Sequence, residues 1–325
     1  MIFLDPYAPH ILKAKENHLE KLFPIVQRRV NALPVSELKT FLNESRIKRI
    51  LTDLPNDLSY HHISMLFAIT GLSIAEWQDY LIIKKKWKRN RDASETIIFN
   101  KYNDFILKIN KIFNYKDGFS KKETKYSTYD LAETLNVQTC VYCNRIYTKT
   151  VVKPSKRTRP EFDHWYPKES YPLLALSFYN LIPSCHICNS SVKGSIVMNT
   201  SHYLHPYLSE KINFKFSYWI ESLNAYKFQI KRIPNSKEDN TIKAFKIEEI
   251  YETHKDEIHD LVQLRKLYSV DYLLRLRGLL AVVDTKISNE EIYRLAFGVN
   301  IKEKDFSKRP LSRMKRDILD ELGMI

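Results

Sequence analysis

Glycine and cysteine are scarce in this chain, whose 325 residues include six glycines and four cysteines. Glycine is a poor helix former, so its near absence from the first third of the chain favours helices there. No run approaches the roughly 18 apolar residues that a membrane span needs. The sequence begins without a basic leader, an apolar stretch and a cleavage site, and it contains no internal repeat. These absences predict a cytoplasmic protein with no membrane partner.

Basic residues outnumber acidic ones, and the formal net charge is +14 with an isoelectric point near 9.4. Such a surplus favours a polyanionic partner, nucleic acid first, because phosphate contacts release counterions. A solvated basic surface is the alternative. A hydrophobic share of 44% with 28% charged residues fits a globular chain, and the length suffices for two or three subdomains around a core.

All four cysteines fall into two Cys-x-x-Cys pairs, Cys140 with Cys143 and Cys185 with Cys188. A structural disulfide pair is disfavoured in a cytosolic chain, whereas matched two-residue spacings suit one tetrahedral zinc ion. The 41 residues between the pairs exceed the spacing of a plain zinc ribbon. We therefore expect a structural zinc that holds both ends of an inserted segment.

Helical periodicity dominates residues 1–130. Apolar residues recur at three- and four-residue spacing across 12–30, 61–86 and 97–113, which predicts three helices.

Residues 84–91, KKKWKRNR, contain six basic residues and Trp87. Phosphate contacts with an aromatic ring for stacking would explain this composition. A solvated helix end would explain it equally well.

After the cysteine-rich segment, alternating apolar and polar residues predict a β-hairpin across 214–220 and 226–233. A long helical pattern covers 247–280, and a basic, amphipathic last helix follows. The predicted domains are a helical region at 1–130 for partner or nucleic-acid contacts, a core at 131–210, and a hairpin plus helices at 211–325.

Residues 162–194 combine acid, imidazole, amide and thiol groups in a short space. The pattern predicts strands near 162–166 and 177–182, then a helix from Cys188 that ends at Gly194. On an ordinary α-helix, Asn189 and Lys193 would share one face.

Asp163 and Asn189 offer the hard oxygens that Mg²⁺ or Mn²⁺ prefers. His164, with an ordinary pKa of about 6.5, could take a proton from a water that attacks phosphorus. Lys193 could hold a neighbouring phosphate. Together these groups indicate phosphodiester hydrolysis.

The order Cys-x-x-Cys, Asp163-His164, Asn180, then Cys-x-x-Cys with Asn189, resembles an HNH endonuclease of the ββα-metal type. The resemblance implies His164 as general base, Asp163 and Asn189 as ligands of a catalytic divalent metal, and Asn180 as the brace of the loop that carries the base. The last motif position is Asn here rather than the His that names the family. The implied fold is α+β, a mostly helical protein with a central zinc-stapled ββα-metal core and a following β-hairpin.

A wider resemblance covers the stretches YPKESYPLLALSFYNLIPSC, HPY and RPLSRMKRDIL. These are similar to HNH subunits of bacterial antiphage defence systems, such as Septu and some retron systems, that work with SMC-like or ABC-type ATPases. That resemblance implies a nucleic-acid substrate, DNA before RNA, and an ATPase partner.

Several residues nearby have two interpretations. Arg145 could contact phosphate or be a surface arginine, and Glu161 could be a supporting acid. His202 and His205 could line the site, although loop or packing roles are favoured. For the whole chain, the alternatives are a zinc-knuckle nucleic-acid-binding module without chemistry, an RNase, and an assembly subunit whose nuclease is silent until a partner responds.

Overall fold

A computed structural model of the chain describes residues 1–119, 125–153, 158–194, 196–208, 212–222, 225–268, 270–283 and 287–325. The described part is predominantly helical and contains two small antiparallel hairpins, each of two strands. The prediction of a mostly helical α+β protein is therefore confirmed.

Eight helices occupy the described residues before the first cysteine pair. They are α1 (Pro9–Asn31), α2 (Glu37–Phe41), α3 (Glu44–Thr52), α4 (Pro55–Thr70), α5 (Ile74–Lys85), α6 (Ala93–Ile112), α7 (Tyr115–Gly118) and α8 (Thr128–Leu135). The helices predicted at 12–30 and 97–113 correspond to α1 and α6. A capping box starts α6, because the side chains of Asp92 and Glu95 each accept a hydrogen bond from the other's backbone N–H.

The helix predicted across 61–86 is instead two helices, α4 and α5, which meet at an angle of 93°. Gly71 separates them with a φ of 67°, a left-handed value that favours glycine. Ser73 and Glu76 then form the capping box that starts α5. Within the part of the chain that the structure describes, no single helix is long and apolar enough to cross a membrane; this bent pair meets the length and composition only together.

The predicted second hairpin is present as β3 (Lys215–Ser222) and β4 (Ala225–Lys231). The helix predicted across 247–280 is broken by a 3₁₀ turn at Glu252–His254 and again after Leu267. Buried residues keep helical spacing through the first break, so periodicity could not reveal it. The later helices are α9 (Lys237–Ala244), α10 (Ile247–Tyr251), α11 (Lys255–Leu267), α12 (Val270–Val283), α13 (Asn289–Phe297) and α14 (Ser312–Glu321).

The central hairpin pairs β1 (Glu161–His164) with β2 (Leu181–Ser184) in antiparallel register. Asp163 lies opposite Ile182 and His164 opposite Leu181. A π-helix, Ile187–Lys193, follows, and Gly194 ends it with a φ of 50°. The two short strands and the following helix thus agree with the predicted order, but the second strand begins at Leu181 instead of near residue 177, because Phe178–Asn180 form a 3₁₀ turn.

Buried residues from all three predicted regions form one continuous hydrophobic cluster. The loop between β1 and β2 is fixed to the N-terminal helices by hydrogen bonds. Ser177 Oγ donates to the Ile50 carbonyl at 2.6 Å, and His18 Nε2 donates to the Leu176 carbonyl at 2.8 Å. The N-terminal helices therefore hold the loop that follows His164. The predicted division into domains at residues 130 and 210 stays a prediction.

Candidate metal centre and active site

The four cysteines form one cluster. Their Sγ atoms all lie within 4.8 Å of one another, all four residues are buried, and none forms a disulfide. Tetrahedral zinc with Zn–S bonds of about 2.3 Å places its sulfur ligands about 3.8 Å apart, which this cluster accommodates. The cluster could therefore bind a metal ion such as zinc.

Local backbone geometry shapes both cysteine pairs. In the first, the Asn144 N–H donates to the Cys140 carbonyl at 2.8 Å, and the Cys140 N–H donates to the Ile146 carbonyl at 3.0 Å. Asn144 adopts a φ of 51°, the left-handed value that closes this turn. In the second, Cys185 directly follows β2 and Cys188 lies on the π-helix. The cluster thus joins the central hairpin to the turn before it.

Asn144 also binds the C-terminal region, a role that sequence reasoning missed. Its Nδ2 donates to the Phe306 carbonyl at 2.9 Å, and its Oδ1 accepts from the Arg313 N–H at 3.2 Å. The Tyr251 hydroxyl donates to the Cys143 carbonyl. Elements more than 100 residues away in sequence therefore close around the first cysteine pair. No local sequence pattern signals these distant partners.

Asp163 is buried, with 3% of its surface exposed. The Tyr142 hydroxyl donates to its Oδ2 at 2.5 Å, and Lys193 Nζ donates to its Oδ1 at 2.9 Å. Burial raises the pKa of Asp163, and the positive charge of Lys193 and the hydrogen bond from Tyr142 oppose that rise. Tyr142, between the first two cysteines, is a second residue that sequence reasoning missed.

Lys193 does not reach outward from the π-helix. Lys193 is 2% exposed as a residue, and its Nζ also donates to the His164 carbonyl at 2.8 Å. The i→i+5 hydrogen bond from the Gly194 N–H to the Asn189 carbonyl, 3.1 Å long, widens this turn. Asn189 and Lys193 consequently contact different partners. Lys193 was predicted to contact a phosphate, whereas the structure shows it in a buried ion pair.

Among the described residues, the side-chain hydrogen bonding of His164 is limited to one contact. Its Nε2 lies 3.0 Å from the Ala175 carbonyl, which can only accept, so Nε2 carries the proton and Nδ1 is the basic nitrogen. Burial, together with the positive charge of Lys168, lowers the pKa of His164 to about 3. The ring packs edge-on against Tyr115 with centroids 4.7 Å apart. The imidazole is thus neutral near pH 7, with its tautomer set by the loop carbonyl.

Asn180 ties the two ends of the loop together. Its Oδ1 accepts from the Tyr166 N–H at 2.7 Å, and its Nδ2 donates to the carbonyls of Tyr166 and Leu174 at 3.1 and 2.9 Å. Leu174 directly precedes the residue that binds His164. These contacts place Asn180 where a brace of the loop would act.

Asn189 lies beside Glu161 rather than Asp163. Its Nδ2 donates to Glu161 Oε2 at 2.8 Å, and His186 Nδ1 binds Glu161 Oε1 at 2.8 Å. Partial burial would raise the pKa of Glu161, but the hydrogen bonds from Asn189 and His186 outweigh it and lower that pKa. Glu161 was considered only as a supporting acid, and the structure makes it the centre of this polar group.

The arrangement does not form a divalent-metal site as it stands. Each carboxylate oxygen of Asp163 already accepts a hydrogen bond, and the ammonium of Lys193 balances its charge. The amide of Asn189 is directed to Glu161. A magnesium or manganese ion would have to displace Lys193 from Asp163, so the two predicted ligands stay a prediction.

The remaining candidate residues contact other parts of the protein. Arg145 Nη1 donates to His254 Nε2 at 3.5 Å, while Arg145 Nε is buried without a partner among the described residues. His205 packs on Trp165 with centroids 4.6 Å apart, and burial lowers its pKa to about 3. His202 is exposed and bonds to Asn199. His202 and His205 thus have the loop and packing environments that were favoured for them.

Comparison with known proteins yields little. No family model matches the chain, and no solved structure matches it. Protein ea31 of Escherichia phage lambda is 28% identical over 114 residues, a stretch that covers 34% of this chain and 34% of that protein. The chain thus matches about a third of the length of this phage protein, and the similarity does not place the whole chain in a family.

Proposed function

We propose that the chain is an HNH-type endonuclease that hydrolyses phosphodiester bonds in nucleic acid, DNA first. The observation that carries the proposal is the state of His164. Its Nε2 proton is held by the Ala175 carbonyl, which leaves the Nδ1 lone pair to act as a base. A histidine at a strand end, bonded through one nitrogen and basic at the other, suits proton abstraction from water.

In the proposed reaction, His164 Nδ1 takes a proton from a water molecule as the water oxygen bonds to phosphorus. The bond from phosphorus to the leaving sugar oxygen breaks, and that oxygen acquires a proton from solvent. A pKa of about 3 keeps His164 unprotonated but makes it a weak base. A bound phosphodiester brings a negative charge beside the ring, which raises the pKa of His164 toward the range a general base needs.

Two residues position this base. Asn180 binds the backbone on both sides of the loop, and the Ala175 carbonyl in that loop fixes the ring of His164. The cysteine cluster, as a structural zinc site, would hold β2 and the π-helix against the first cysteine pair. The proposal keeps Mg²⁺ or Mn²⁺ as the cofactor that the resemblance implies, bound at Asp163 and Asn189 only once Lys193 has moved.

The test compares purified wild-type chain with His164→Ala and His164→Asn on supercoiled plasmid DNA, with zinc retained and Mg²⁺ or Mn²⁺ added. We expect nicked or linear product from the wild type and at least a hundredfold slower cleavage by His164→Ala, the size of a lost general base. His202→Ala, which changes an exposed histidine, is the matched control and should cleave at the wild-type rate. Equal cleavage by His164→Ala would remove the assignment of the base.

Two observations favour a second candidate, a zinc-dependent nucleic-acid-binding or assembly subunit without catalysis. Asp163 is neutralised by Lys193 within the protein, and His164 is 9% exposed. Such a protein would bind DNA and depend on its cysteines, yet show no cleavage with any divalent metal. RNA cleavage in the same assay would favour the RNase alternative.

A role in antiphage defence and an ATPase partner rest on the resemblance alone. Cleavage that appears only after a co-expressed ATPase subunit is added would support both.

A further inference from the structure

A basic cavity lies beside two residues that contact His164. It has a volume of about 390 Å³, and its lining includes Ala175, whose carbonyl binds His164 Nε2, and Tyr115, which packs against the His164 ring. This cavity is therefore a space close to the proposed base that a substrate group could enter.

Three lysines from separate parts of the chain line this cavity. Lys84 lies in the last turn of α5, Lys116 lies on α7, and Lys168 belongs to the loop between β1 and β2. Glu169 is the single acidic residue in the lining, so the lining carries a net charge of three minus one, or +2. Charge of this sign, with two asparagines among the remaining residues, suits a phosphate group better than an apolar ligand.

One of these lysines is hydrogen-bonded to the loop of the proposed active site, and another belongs to that loop. Lys84 Nζ donates to the Glu169 carbonyl at 2.6 Å, and Lys168 Nζ lies 5.4 Å from the centroid of the Tyr115 ring. The end of α5 is thus bound to the loop that orients His164. An anion in the cavity would lie between the N-terminal helices and the central hairpin.

The basic segment at residues 84–91 continues from this cavity. Trp87 has 74% of its surface exposed, and the Arg89 guanidinium lies 5.7 Å from its ring centroid. Arg91 fixes the segment, because its Nε donates to the Ile83 carbonyl at 3.1 Å and its Nη2 donates to the Lys86 carbonyl at 2.9 Å. The exposed ring is therefore presented on an ordered turn.

Lys84 and Trp87 are three residues apart, which limits their Cα separation to about 11 Å. One nucleic-acid strand can therefore contact both. Bases in a duplex are already stacked on each other, whereas an unpaired base can stack on an exposed aromatic ring for about 1–3 kcal/mol.

We propose that this surface, formed by Lys84, Trp87, Lys116 and Lys168, binds an unpaired strand of DNA, with a phosphate in the lysine-lined cavity and a base on Trp87. The inference rests on the proposed function and deepens it, since it assigns single-stranded or locally opened DNA as the substrate form.

The test measures fluorescence anisotropy of a fluorescein-labelled 20-nucleotide single strand and of the same sequence as a duplex. Every protein is the full-length, zinc-loaded chain in a His164→Ala background, so binding is measured apart from cleavage. Trp87→Ala is compared with Trp219→Ala, which removes another exposed tryptophan on β3. Lys116→Gln/Lys168→Gln is compared with Lys266→Gln, an exposed lysine on α11.

We expect Trp87→Ala to weaken single-strand binding on the order of tenfold, and duplex binding less than twofold. Trp87→Phe, which keeps an aromatic face, should recover most of the affinity. The double lysine variant should weaken binding and reduce the salt slope of log K by about 1.4, or 0.7 per lost phosphate contact on a single strand.

The inference would be overturned if Trp87→Ala changed the affinity for the single strand no more than Trp219→Ala does. Preferential binding of the duplex by the parent protein would overturn it as well. Either result leaves the proposed function standing if His164→Ala still abolishes cleavage. Circular dichroism and zinc content identify a variant that has failed to fold, and in that case Trp87→Phe decides the question.

Discussion

Tyr142→Phe isolates one buried hydrogen bond between the cysteine cluster and the candidate active site. The Tyr142 hydroxyl donates to Asp163 Oδ2, and both residues are buried. The substitution removes only the hydroxyl oxygen. The ring stays stacked on Phe245, 4.1 Å away between centroids, so no large cavity forms.

The expected loss follows from the charge of the acceptor. A hydrogen bond to a charged group contributes about 1.5–3 kcal/mol. Among the described residues, Asp163 would keep only Lys193 as a side-chain partner while remaining buried, so we expect a fall of about 2–3 kcal/mol in the free energy of unfolding. Burial raises the pKa of Tyr142, so the donor stays protonated at neutral pH in the wild type.

The assay is urea unfolding of the zinc-loaded chain, followed by far-ultraviolet circular dichroism. Tyr207→Phe is the matched control, because the Tyr207 hydroxyl is buried without a partner among the described residues. Removing an unpaired hydroxyl should change the free energy of unfolding by less than about 0.5 kcal/mol or increase it. Equal effects of the two substitutions would refute the reasoning.

The pH dependence supplies a second check. Losing a donor to the ionised carboxylate raises the folded pKa of Asp163 above its wild-type value, which burial already raises. The loss in the free energy of unfolding caused by Tyr142→Phe is therefore fully present above the pKa that Asp163 has in the folded variant. This loss shrinks as the pH falls through the pKa of Asp163 in the folded variant and then in the folded wild type, because a protonated Asp163 is stabilised less by the hydrogen bond from Tyr142. A deficit that does not depend on pH would point to packing instead.

Three further predictions concern zinc, the loop and a buried histidine. Cys185→Ser should lower zinc from about one ion per chain to near zero and expose the central hairpin to proteolysis, measured by metal analysis and limited trypsin digestion; a folded, zinc-free variant would contradict this. Asn180→Ala removes three hydrogen bonds within the loop and should lower the free energy of unfolding by at least about 3 kcal/mol in urea, more than His202→Ala. His62 is buried with neither ring nitrogen bonded to a described residue, and burial lowers its pKa to about 3. The unfolded ring takes up a proton near pH 6.5 and the folded ring does not, so stability falls between pH 6.5 and 3; His62→Phe should remove its share of that slope, to which the buried His164 and His205 also contribute, and an unchanged slope would refute it.

Local patterns made the elements predictable. The matched cysteine spacings predicted one cluster, and the order of strand, strand and helix around Asp163 and Asn189 agreed with the structure, because each signal lies within a few neighbouring residues. Gly71 carried the signal for the break between α4 and α5, although the apolar period ran past it.

Side-chain partners were harder to predict than elements. Lys193 and Asp163 are 30 residues apart, and the π-turn that brings them together differs from an α-helix by one hydrogen-bond step. Periodicity cannot distinguish those two helices over seven residues. The partners of Asn144 near residue 306 are farther still, and no local pattern reports them.

The bonds of Asn144 have a consequence for biosynthesis. A ribosome delivers the first cysteine pair long before it delivers Phe306 and Arg313, which lie 162 and 169 residues beyond Asn144. A nascent chain can gather its four thiols once Cys188 has emerged, yet the turn between the first two remains open to solvent and to competing thiol chemistry until translation passes residue 313. Ribosome stalling in that interval would leave a chain that can take up metal but cannot yet close around it.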